Sequence, residues 1–149
     1  MRGFCKTVVL AGAFGIAVSS AVAAGPIEER QELMKSVGKS IKVAVPMAKG
    51  EAPYDAEAAK AAMKTINEVP DKFVKLFPDG SQEGGETEAS PKIWENMEDF
   101  MAKANALKTA SAEAMEAADK GQEAFKGAVF GSVVKTCKGC HDAYRIKKN

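Results

Sequence analysis

The sequence predicts an all-α protein, an up-down-up-down four-helix bundle, on three observations. Beyond the first two dozen residues the chain is rich in Ala, Lys, Glu and Met, all good helix formers. No stretch alternates apolar and polar residues for long enough to make a sheet strand, and no internal repeat emerges. Breaker residues cut this stretch into four segments whose apolar positions recur at helical spacing. Amphipathic helices joined by short to moderate links pack against one another in antiparallel order.

The first helix is expected from about Ile27 to Lys49, with Ile27, Met34, Val37, Ile41 and Ala44 or Val45 on its buried face. Pro46 lacks an N–H donor and should kink the last turns. Gly50-Glu51-Ala52-Pro53 makes the break, and Asp55 is the candidate N-cap of the second helix. That helix is expected to reach about Phe77, with Ala62, Ile66, Val69, Phe73 and Leu76 inward and Pro70 as an interruption. The stretch from Pro78 to Ala89, with its Gly84-Gly85 pair, has the chemistry of turns and forms the one long loop. Ser90 then caps the third helix, with Pro91 at the first helical position, where its missing N–H costs nothing. Ile93, Met97, Phe100, Ala104, Leu107 and Ala114 form the apolar stripe of this helix. Asp119-Lys120-Gly121 breaks the chain again, and the fourth helix is expected to about Lys147 through Phe125, Val129, Val133, Cys137, Cys140 and Tyr144.

The chain opens with a different kind of segment. Arg2 and Lys6 precede an apolar stretch from Thr7 to Val18, and small residues close it at Ser19-Ser20-Ala21-Val22-Ala23-Ala24. This is the pattern of a secretory signal peptide over residues 1–23, with cleavage expected after Ala23 and Ala24 as the alternative. The apolar run falls short of the ~20 residues a spanning helix needs, so no stable membrane anchor is expected. The expected mature domain is 24–149. Loss of Arg2 and Lys6 takes the 21 basic residues to 19 against 20 acidic, a net charge of −1. That balance argues against nucleic-acid binding or a polybasic membrane contact. Cys5 leaves too, so two cysteines and the chain's one histidine remain, all in a single motif.

Cys137-Lys138-Gly139-Cys140-His141 is a C-x-x-C-H sequence, the attachment signal for c-type haem. Two thiols add across the two haem vinyl groups, and the spacer sets them about one helical turn apart. The adjacent imidazole of His141 is thereby delivered to iron as the proximal ligand. A zinc site would need a fourth ligand that this motif does not contain. A thioredoxin-like pair belongs in a βαβ context, which is absent, and a disulfide across so small a loop stabilises little. An exported chain with one C-x-x-C-H motif and no other mature cysteine favours a single haem c. In the predicted bundle the start of the first helix and the end of the fourth share one end. Met34 and His141 each then lie roughly 10–12 Å in from that end, able to face one another across a haem, with Met97 of the third helix a rival.

With these residues in place the chain resembles the class II c-type cytochromes, the group of cytochromes c′ and their low-spin, Met-ligated relatives. Arg30-Gln31, Leu33-Met34-Lys35, Lys49 to Asp55, Leu76-Phe77-Pro78, Pro91 to Trp94 and Cys137 to Arg145 carry the resemblance. It implies a bundle with covalent haem near one end and Met34 as the distal residue over the sixth iron site. It also implies that Arg30 and Gln31 lie beside the haem edge, where a guanidinium can pair with a propionate. Thr87 and Glu88 match a loop touching the haem, and Arg145 a basic residue near the proximal pocket. Leu33-Met34-Lys35 with Lys49 to Asp55 looks closest to the low-spin branch, while Gly84-Gly85 and Thr87 look more like cytochrome c′. The resemblance thus implies periplasmic one-electron transfer with Met34 bonded, serving redox partner proteins. The alternative is a five-coordinate protein binding NO or CO. A homodimer through the first two helices is a further implication. No nucleophile–base pair, phosphate loop or paired catalytic carboxylates emerges, so no enzymatic residues are expected.

Overall fold

A computed structural model describes residues 25–147, so the expected signal segment 1–23 lies outside the described residues. The chain forms α1 (Pro26–Lys49), α2 (Ala56–Phe73) with a 3₁₀ turn Val74–Leu76, a short α3 (Lys92–Glu95) and α4 (Met97–Ala118). It ends with α5 (Gln122–Ala128), a π turn Val129–Val133 and α6 (Val134–Tyr144). The last three run on as one rod, so the four predicted segments are all present.

Local chemistry accounts for the helix ends. Pro26 opens α1, Glu28 and Glu29 lie in its first turn against the positive end of the helix dipole, and Lys49 lies in the last. Gly50, at φ 77°, closes it, with the Glu51 amide donating to the Pro46 carbonyl at 2.9 Å. The helix continues through Pro46 to Lys49, the predicted end. Asp55 caps α2, its carboxylate accepting from the Ala58 amide at 2.9 Å.

Two boundaries differ from the sequence expectation. The third helix is not continuous from Pro91, because Asn96 (φ −142°, ψ 62°) breaks it into α3 and α4. The Asn96 side chain accepts from the Asp99 amide at 3.3 Å, so the residue acts as a cap in mid-segment. The final helix stops at Tyr144, short of Lys147. Arg145 turns extended (φ −111°, ψ 126°) and forms an isolated antiparallel bridge with Ala89.

α2 packs on α1 and α4, α4 packs on α5 and α6, and α1 returns to α5, which closes the bundle. The main core runs through Val37, Ala44, Met63, Ile66, Val69, Ala114, Phe125, Val129 and Val133. Each fully buried Ile, Val or Phe there contributes about 1.5–3 kcal/mol from apolar burial. A second cluster of Phe77, Ile93, Phe100 and Tyr144 fills the end where α6 finishes. Its rings meet edge-to-face, Phe77 on Phe100 at 4.8 Å and Phe100 on Tyr144 at 5.4 Å between centres. No helix among the described residues is long and apolar enough to cross a membrane.

Candidate haem-attachment site

Cys137, Cys140 and His141 lie on α6, and the i, i+3 and i, i+4 spacings put them on neighbouring positions of one helix face. Both thiols are free and half-buried. Cys137 packs against the main core, and Cys140 against the aromatic end cluster. Burial pushes both thiols above their ordinary range, and the neighbouring Cys137 adds to the effect at Cys140. The His141 residue keeps part of its surface in solvent. Even so, partial burial and then the Arg145 guanidinium lower its pKa, against Glu88 and Asp142. The imidazole is therefore biased to the neutral form that binds metal.

The bundle is open where this motif sits. α1 packs along α5 and the π turn, whereas α6 packs on α4 and α3, and contact between α1 and α6 is minimal. Met34 lies half-buried on α1, against the same core cluster as Cys137. Met97, at the start of α4, packs instead with the aromatic end cluster and shares it with Cys140. Paired free thiols and an imidazole on one helix face, beside a splayed helix pair, suit a planar group attached by thioethers and held by nitrogen.

The loop between Phe77 and Ser90 ties α1 to the end of α6 across that opening. Arg30 is only 4% exposed. Its Nε donates to the Leu76 carbonyl at 2.7 Å, one terminal nitrogen to the Ser81 carbonyl at 3.0 Å, and the other to the Ser81 hydroxyl. The guanidinium lies over Phe77 at 4.1 Å and Trp94 at 5.4 Å from the ring centres. Burial lowers its pKa, yet a guanidinium stays charged, and three of its five donors are used here. Gln31 donates to the Glu86 carbonyl at 3.0 Å. Glu88 accepts from Arg145 Nε at 2.5 Å, and the Glu88 carbonyl from the Ile146 amide at 2.8 Å. Thr87 accepts through its hydroxyl from the Ala89 amide at 3.2 Å, a turn contact within the loop.

Arg30, Gln31, Glu88 and Arg145 are thus gathered at one end of the molecule with the attachment motif, through a loop that links elements far apart in sequence. Arg145 turns extended after α6, with its amide still donating to the His141 carbonyl at 3.1 Å. Sequence reasoning missed Ser81, Trp94, Asn96 and Asp99. The Tyr144 hydroxyl donates to Asp99 at 2.6 Å, which holds that carboxyl below its ordinary range and the phenol up to about 12. Asn96, the second capping-type residue within a few positions of Ser90, was the one visible signal among these.

Known proteins of similar shape and sequence fit this geometry. The family model described as Cytochrome C′ matches residues 25–145. A cytochrome c-556 of Agrobacterium fabrum is 40% identical over 144 residues, which covers 96% of this chain and 97% of that one. The structure of cytochrome c′ from Rhodopseudomonas palustris superposes with a TM-score of 0.79 at 33% identity, over 85% of this chain and 99% of the other. A mutant of cytochrome c prime from Alcaligenes xylosoxidans, in its nitric oxide complex, gives a TM-score of 0.72 at 33% identity, over 83% and 98%.

Proposed function

The chain belongs to the cytochrome c′ family of haem-bearing, electron-carrying cytochromes, and we propose that it is an exported one-electron carrier with a single covalent haem c. The observation that carries this reading is the pair of free, half-buried thiols one helical turn apart with a neutral-biased imidazole beside them. Haem bound there supplies the ferric–ferrous couple, which the protein tunes through axial ligation, burial and nearby charge.

The chain's own residues divide the remaining tasks. Cys137 and Cys140 form the thioethers, and His141 presents the proximal nitrogen. Met34 on α1 presents a thioether from the opposite side of the opening, and a sulfur ligand favours ferrous iron and raises the potential. Arg30 keeps two N–H donors after its contacts with Leu76 and Ser81, enough to meet a propionate oxygen beside Gln31. Thr87, Glu88 and Arg145 bound the same edge through the loop. Residues 1–23 direct the chain to the periplasm, where redox partner proteins exchange electrons with it. The outer faces of α1 and α2 are the surfaces through which two copies would pair.

A second reading rests on the nitric oxide complex of the Alcaligenes relative. In that reading Met34 crowds the open iron face without bonding, and NO or CO competes with it for space. Absorption spectra of the purified ferric and ferrous protein, with and without carbon monoxide, separate the two. A low-spin ferric spectrum and a ferrous spectrum that carbon monoxide barely alters support the carrier with Met34 bonded. A high-spin protein that binds carbon monoxide readily supports the gas-binding reading.

A further inference from the structure

Between α5 and α6 the last helix widens: the Val134 amide donates to the Val129 carbonyl, five residues back instead of four. Single π turns of this kind recur at functional sites, and here one lies directly upstream of the attachment motif. In a uniform α-helix each residue advances ~100°, so a step of four overshoots a full turn by ~40°. Phe125, Val129, Val133 and Cys137 are spaced by such steps, which would spread them over roughly 120° of a regular helix. In the structure Phe125, Val129 and Val133 are each 0% exposed, and Cys137 packs against the same core cluster. The extra residue in the widened turn takes up that drift.

The same correction acts on everything after it. Without the extra residue, α6 would turn by ~100° about its axis and move by ~1.5 Å along it. Cys137, Cys140 and His141 would then face a different neighbour. No side chain in the turn need specify this. Gly131 is exposed, and a Cβ built there meets nothing within 4 Å. What matters is the number of residues between the buried face of α5 and Cys137.

We propose that the π turn Val129–Val133 sets the rotational phase at which α6 presents Cys137, Cys140 and His141, and so decides whether haem can be attached and ligated. The proposal rests on the reading of those three residues given above. The test uses the full chain matured with a c-type assembly system, as four variants. These are deletion of Gly131, insertion of one Ala between Val134 and Lys135, both changes together, and Gly131→Ala. Covalent haem per chain is read by pyridine haemochrome after acid–organic extraction, helix content by far-UV circular dichroism, and ligation by the visible spectrum. The deletion and the insertion are each expected to lose most of the covalent haem. The combined variant, which restores the residue count, and Gly131→Ala, which never changes it, should keep haem and the parent spectrum. A folded deletion or insertion variant with the parent's haem content and spectrum overturns the proposal. So does a combined variant that fails to recover haem, and that comparison decides the matter where a single variant does not fold. A parent without covalent haem would instead sink the attachment reading itself.

Discussion

The guanidinium carbon of Arg30 lies 4.1 Å from the centre of the Phe77 ring, a buried cation seated on an aromatic face at the open end of the bundle. With Trp94 on the same group and three hydrogen bonds to Leu76 and Ser81, Arg30 anchors the start of the long loop to α1. Arg30→Ala leaves the part-buried Leu76 carbonyl and the buried Ser81 carbonyl and hydroxyl without this donor and should lower stability by about 2–3 kcal/mol. Arg30→Lys keeps the charge but not the planar fork, and should recover only part of that loss. Urea denaturation of the parent and both variants measures it. A Lys variant as stable as the parent would show that charge alone suffices.

Attachment is tested at the thiols and the imidazole. With both Cys137→Ala and Cys140→Ala, acid–organic solvent should extract all the haem, while the parent retains it. His141→Gly should vacate the proximal nitrogen, and added imidazole should restore a nitrogen-ligated spectrum. His141 is the chain's one histidine, so a spectrum unchanged by its loss would mean that a different class of side chain holds the iron.

For Met34 the expected outcome is a change of spin state. Met34→Ala should remove the sulfur-to-iron charge-transfer band of the ferric protein, give high-spin iron and open the site to carbon monoxide. Loss of the band on changing Met97 instead would move the distal ligand to α4.

Tyr144 and Asp99 give the end of α6 a pH dependence that can be worked out in sign. The Tyr144 hydroxyl and then Lys103 hold the Asp99 carboxyl below its ordinary value. Its stabilising contribution is therefore present above the unfolded pKa, about 3.9, and is lost as pH falls through the lower folded value. The Tyr144 phenol is raised to about 12, so its contribution is full below an unfolded pKa of about 10 and lost as pH climbs towards 12. Tyr144→Phe should unfold at a lower temperature than the parent at pH 7, and the gap should close towards both extremes. Thermal melts across pH test this, and a gap of constant size would rule the hydrogen bond out as its cause.

Much of this arrangement was legible in the sequence, for physical reasons that differ by residue. Ile66, Phe100, Phe125, Val129, Val133 and Tyr144 were expected inside and are buried, because apolar spacing reports a helix face directly. Cys137, Cys140 and His141 could be read together because the chemistry that needs them also fixes their spacing in one short motif. The break at Asn96 left only a weak trace, since a capping Asn looks like any polar position until the backbone is seen to leave the helix there. The seat of Arg30 was hidden for another reason: Phe77, Ser81 and Trp94 come to it from 47 to 64 positions away, and helical periodicity says nothing about contacts at that range. The π turn did leave a trace, a run of apolar residues spaced by four where a regular helix alternates three and four.

The contacts at the far end of the loop also fix an order of events. Residues 145 and 146 follow the entire bundle in the chain, yet they supply the partners of Glu88, and the Tyr144 carbonyl accepts from the Ser90 amide at 2.9 Å. The clasp between loop and tail cannot form until the chain is complete. A chain ending at Tyr144 would keep the ties of the loop to Arg30 and Gln31 and lose its ties to residues 145 and 146.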